Sequence, residues 1–105
     1  MKVKSKRIHL IERNDEIIKV EEQIWESGHW TLPEAKAKAL LGGSILFHKK
    51  RAEPSYFGGR ILNYRIQDKG KFKGLVIFTF EYQADHRMVL ADKGWSKDIK
   101  IVMKE

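Results

Sequence analysis

Four histidines, His9, His29, His48 and His86, are the side chains in this sequence best suited to moving a proton near neutral pH. Two of them have suggestive neighbours. His86 lies in the string FEYQADHR with Glu81, Asp85 and Arg87, and His48 is followed at once by Lys49, Lys50 and Arg51. A small metal-independent nuclease could use His48 or His86 as general base while Lys49, Arg51 or Arg87 stabilises a phosphorane. The plainer expectation is a polar turn after a buried strand around His86, and a hydrogen-bonded rim position for His48. No two histidines have metal-ligand spacing and the carboxylates near them follow no pattern, so neither a metal nor a cofactor is expected. Phosphate-loop and dinucleotide fingerprints are missing from the sequence. Without cysteine, disulfides, thiolate metal sites and cysteine catalysis are excluded.

The stretch GGSILFHKKRAEPSYFGGRI, residues 42–61, concentrates unusual residue types: two glycine pairs, a basic triplet, a proline and two adjacent aromatics. It opens the most basic part of the chain. Residues 48–73 carry eight basic groups against two acidic ones, and so hold nearly all of the net charge of +7. A localised basic segment is an electrostatic footprint for an anion, commonly a nucleic acid. Gly58 and Gly59 interrupt a strand-like pattern, which marks a bulge, a barrel corner or the close approach of a ligand. Of Tyr56 and Phe57, one is expected in the core and the other partly exposed. An exposed aromatic beside a basic rim would combine stacking with phosphate attraction. The nucleic-acid-binding residues expected on this reading are Lys49, Lys50, Arg51, Ser55, Tyr56, Gly58, Gly59 and Arg60. A pocket built from Trp25, Trp30, His48, Phe57 and Trp95 would close a slot for a planar ligand, although the bulk of tryptophan places at least one of them in the core.

These residues need a scaffold, and 105 residues suffice for one domain, residues 1–105, with one core. Strands are expected at 6–12, 45–49, 60–66, 75–82 and 99–103, from alternation or continuous apolar runs. Arg13–Glu16 reads as a turn, and Ile17–Gly28 fits either helix or strand with a lean to strand, closed by Ser27-Gly28. Thr31 and Glu34 have capping-box spacing, Pro33 suits a first helical turn, and Gly42 suits a left-handed C-cap, which together predict a helix over about 32–41. Short turns between strands imply mostly antiparallel pairing. The expected fold is α+β: a small, twisted, partly closed β-barrel with one or two short helices. No apolar run is long enough for a signal peptide or a membrane span, so a soluble cytoplasmic protein with no membrane partner is expected.

A helix leading to GGSILFHK, then a short loop and YFGGRILNYRI, resembles the middle of PUA-like domains, notably the EVE and YTH group, over roughly residues 25–82. The resemblance is one of pattern. It departs at Gly42-Gly43-Ser44, where EVE domains commonly have Gly-Asp, and the sequence lacks the G-x-K-x-x-E-x-R signature of ASCH domains. The resemblance implies a small twisted barrel that binds nucleic acid, with an aromatic cage able to hold a flipped or modified base. The expected function is therefore a nucleic-acid-binding module without catalysis. The alternatives are the nuclease above and a small-molecule or protein-interaction domain whose lysines only solubilise it.

Overall fold

The computed structural model describes residues 6–13, 17–91 and 93–103, so the turn expected at Arg13–Glu16 falls largely on residues outside those described. Seven strands form one sheet: β1 (Lys6–Ile11), β2 (Ile17–Glu21), β3 (Ile24–Trp30), β4 (Ser44–His48), β5 (Phe57–Ile66), β6 (Val76–Tyr82) and β7 (Ile99–Met103), in the order β2-β3-β6-β5-β4-β1-β7. All neighbours are antiparallel except β1 and β4, which run parallel. The sheet does not close, so the expected barrel reduces to an open sheet. That sheet is nevertheless strongly coiled. β3 and β7 are five places apart in it, and about 20–25° of twist per step accumulates to on the order of 100°. Residues of both strands line one cleft, so the edge strand β7 comes close to β3, the strand next to the other edge.

The main core lies inside this coil. Ile8 and Leu10 of β1, Ile45 and Phe47 of β4, Ile61 of β5, and Phe78 and Phe80 of β6 are buried together with Trp30 and with Ala37 and Leu40. β6 is the continuous apolar strand of the sequence, and it sits centrally between β3 and β5. β1 and β4 are buried on their other faces too, through His9 and Ile11 and through Ser44, Leu46 and His48. Part of the cover there is a 3-10 turn, Ala84–His86, which touches both β4 and β5.

Three local expectations are corrected. The helix α1 spans only Glu34–Ala39, with Pro33 at its N-cap and no side-chain cap bond. The expected capping box does not form; the Glu34 carboxylate instead accepts a hydrogen bond from the Tyr64 hydroxyl at 2.7 Å. Gly42 does take a left-handed conformation, φ 82°. Second, Ser27-Gly28 does not end a strand. β2 and β3 form a hairpin whose turn falls at Glu22–Gln23, with Gln23 at φ 66°, and Ser27-Gly28 lies inside β3. Third, the simple alternation expected along β5 fails at Leu62. A register shift between Ile61 and Asn63 switches faces, so Ile61, Tyr64 and Ile66 all pack toward the core while Leu62 is exposed.

Candidate nucleic-acid interface

β5 has ten residues, about 30 Å at ~3.3 Å per residue. It therefore separates the two basic parts of segment 48–73. Lys49, Lys50 and Arg51 sit in the loop before β5, whereas Lys69, Lys71 and Lys73 sit in the turn after it. Between them, Arg60 lies 3.6 Å from the Glu81 carboxylate and Arg65 lies 3.3 Å from Glu26, so the cations on the strand itself are partly neutralised. The basic segment is not one continuous patch.

A different grouping appears at the end of the sheet where β5 begins. The Arg51 guanidinium donates to the Lys97 carbonyl oxygen from both Nε, at 3.1 Å, and Nη2. This docks the 49–53 loop on the 93–98 turn, and Arg51, Ala52, Ala91, Lys93, Gly94 and Trp95 surround one shallow depression. The exposed Lys49, Lys50, Lys93 and Lys97 thus share one end of the molecule, although half of them come from a stretch of the sequence that is neutral overall. Adjoining it is the cleft between β3 and β7, about 770 Å³, floored by Trp30, Ile99 and Ile101 and rimmed by Arg13, Lys36, Lys97 and Lys100. Two of those cations are engaged: Arg13 makes a two-pronged pair with Asp98 at 2.8 and 3.0 Å, and Lys100 donates to the Lys93 carbonyl.

The buried histidines hold this end together. An arginine Nε–H can only donate, so the 3.0 Å bond from Arg7 makes His9 Nε2 an acceptor. His9 Nδ1–H then donates to His48 Nε2 at 2.9 Å, and His48 Nδ1–H donates to the Glu53 carbonyl at 2.8 Å. Both rings are neutral in this chain, and every link runs in one direction. Burial pushes the His9 pKa down to about 3, with His48, Arg7 and Lys100 adding to the effect; burial also lowers that of His48. Trp95 packs edge-on against His48, ring centres 5.4 Å apart, and its indole N–H has no hydrogen-bond partner among the described residues. The expectation of His48 as a ligand rim is corrected: it is fully buried and anchors the basic loop from below.

Ser55 is likewise not at a rim. It is buried and clamps the segment after the 3-10 turn, its N–H donating to Val89 O (2.8 Å) and its carbonyl accepting from Met88 N–H (2.7 Å). Its hydroxyl donates to His86 O (2.7 Å) and accepts from Val89 N–H (3.0 Å). Gly58 and Gly59 are explained by close packing of backbones. A β-carbon on Gly58 would collide with the Ile45 carbonyl, and one on Gly59 with the Glu81 carbonyl. Both glycines are buried against neighbouring strands.

The aromatic residues are dispersed. Trp25 meets Phe57 edge-on (5.1 Å), and Phe57 stacks on Tyr82 (5.0 Å). Trp30 is buried and donates to Ser27 Oγ at 2.9 Å. Tyr56 and Phe57 are both half-buried against the core, with Lys49 Nζ 5.9 Å from the Tyr56 ring centre. Trp25, Trp30 and Trp95 thus occupy three separate environments and do not converge on one slot.

His86 Nε2 lies 2.8 Å from Ser44 Oγ, and its Nδ1 lies 2.8 Å from Asp85 Oδ1, the order of a nucleophile, base and orienting carboxylate. Ser44 and His86 are both buried, however, which denies a substrate access to the hydroxyl. Ser44 and His48 lie at opposite ends of β4, on the order of 13 Å apart at ~3.3 Å per residue. His86, bonded to Ser44, therefore cannot share a phosphorus atom with His48. Glu81 pairs with Arg60, which lies opposite Ser44 on the sheet face that the 3-10 turn covers, and it makes no bond to either ring. Arg87 is exposed beside the 3-10 turn. Among the described residues no group of three or more His, Asp or Glu could hold a metal ion, and no helix is long and apolar enough to cross a membrane.

No family model matches the chain, and no curated protein or solved structure is similar to it at a level that carries an argument.

Proposed function

We propose that the protein is a nucleic-acid-binding module that holds the phosphate backbone on the end face formed by the 49–53 loop and the 93–98 turn. One observation carries the reading: cations from two distant stretches of sequence, Lys49 and Lys50 with Lys93 and Lys97, are brought together by the docking of Arg51 on Lys97. Exposed lysines on a rigidly anchored loop are suited to phosphate contact, which is electrostatic and independent of sequence. The dispersal of the tryptophans argues for backbone binding rather than for a base held in an aromatic cage. Membership of the PUA-like group and a cytoplasmic location belong to the same proposal. The coiled sheet with one short helix supports the former, and the absence of cysteine is compatible with the latter. The test is the affinity for short oligonucleotides over a range of salt. Binding through these four lysines predicts a fall in log K with log salt of slope about −3 to −4 on duplex DNA. A slope near zero, or no binding at low salt, contradicts the proposal.

A further inference from the structure

Met88 and Leu90 are the most exposed large apolar side chains among the described residues, at 76% and 65%. They do not lie on a loose loop. The backbone on either side of Met88 is fixed to Ser55 by four hydrogen bonds, two of them to the hydroxyl, and the Ser55 side is itself tied down because Tyr56 N–H donates to Phe47 O. Met88 is held at φ 63°, a left-handed conformation that a residue with a β-carbon adopts at a cost of roughly 1–2 kcal/mol. A clamped backbone, a costly conformation and two aliphatic side chains turned to solvent describe a presented feature, because packing does not account for it.

The surroundings indicate what the feature meets. Arg87 precedes Met88, and residues 88–91 and 93–95 run beside the basic loop, with Ser55 against Met88 and Val89 at one end and Arg51 and Ala52 near Ala91 and Lys93 at the other. Lys49, Lys50, Arg87 and Lys93 outnumber the exposed Glu53 and Asp85 there, and an apolar point in a net basic surround fits a polyanion with an apolar interior. Apolar tips suit insertion between stacked base pairs, the use made of Phe, Met, Leu and Ile wedges by duplex-bending proteins, whereas an unstacked single strand is served by aromatic platforms. Here the aromatic rings are packed within the protein. We infer that Met88 and Leu90 form a wedge that enters a base step of duplex DNA while Lys49, Lys50, Arg87 and Lys93 hold the flanking phosphates. The inference rests on the proposed function and adds the duplex and its deformation.

The test uses short DNA duplexes carrying 2-aminopurine beside a central step, with and without a mismatch there, and measures both affinity and 2-aminopurine fluorescence. A wedge unstacks the step, so fluorescence should rise severalfold on binding. The mismatched duplex, whose unstacking is already partly accomplished, should bind about tenfold more tightly. In Met88→Asn with Leu90→Ser, the fluorescence rise and the mismatch preference should both disappear, while the salt slope stays unchanged because the phosphate contacts remain. Asn tolerates the left-handed conformation, and both positions are exposed, so the variant should melt like the parent. Salt-dependent binding with no fluorescence rise, or a mismatch preference that survives in the variant, overturns the wedge and leaves the phosphate-binding face standing. Absence of any complex at low salt removes both readings. Partition of the protein into phosphatidylserine vesicles that depends on Met88 and Leu90, without duplex unstacking, also overturns the wedge.

Discussion

His9 and His48 are neutral because each must accept at Nε2 in order to donate from Nδ1. Protonating His9 sets two donors face to face at Arg7, and protonating His48 does so at His9. Since the folded protein lowers both pKa values below the ordinary 6.5, the stability these rings contribute is complete above that value. It is lost as pH falls from 6.5 toward the folded value, about 3 for His9. Chemical denaturation at pH 7 and at pH 4.5 should show the lower stability at pH 4.5, with up to about two protons taken up on unfolding. His9→Gln combined with His48→Gln should flatten that dependence, and an equally steep dependence in the variant would refute the assignment. Gly59 gives a second residue-level test. Its missing β-carbon is required by the Glu81 carbonyl rather than by a positive φ. Gly59→Ala should therefore destabilise by about 3 kcal/mol or more in equilibrium unfolding, while Arg60→Ala, on the exposed side, should change stability by less than about 0.5 kcal/mol.

Elements differ in how far the sequence announces them. β4 and β6 are visible as apolar runs of strand length, because burial dictates their composition, and β7 is visible as a half-buried alternating run. The β2–β3 hairpin is not, because its turn uses Gln23 in a left-handed conformation where a glycine or asparagine would have marked it, while the real Ser-Gly pair lies inside β3. The capping box at Thr31–Glu34 misleads for a tertiary reason, since Tyr64 from β5 claims the Glu34 carboxylate. The same holds in the candidate interface. The 49–51 triplet is evident from composition, but its partners Lys93 and Lys97 are hidden in a charge-balanced stretch and only the Arg51 contact joins them. The turn supplies a prediction at this scale. Gln23 is exposed and its φ suits glycine, so Gln23→Gly should stabilise the protein by about 0.5–1 kcal/mol, because the relief of left-handed strain exceeds the added entropy of the unfolded chain. A loss of stability would mean that the Gln23 side chain supports the hairpin.

For the molecule as a whole, the central matter is which cations act together. Composition groups Lys49 and Lys50 with Lys69, Lys71 and Lys73 in one basic segment, whereas the fold sets them at opposite ends of β5 and joins the first two to Lys93 and Lys97. The direct measurement is the salt slope of duplex binding for two charge-reversed proteins of matched net charge, Lys49→Glu, Lys50→Glu, Lys93→Glu and Lys69→Glu, Lys71→Glu, Lys73→Glu. The account predicts that the first set removes measurable binding at moderate salt, while the second leaves the slope within about one of the parent. Equal losses in the two, or the larger loss in the 69–73 set, would contradict it.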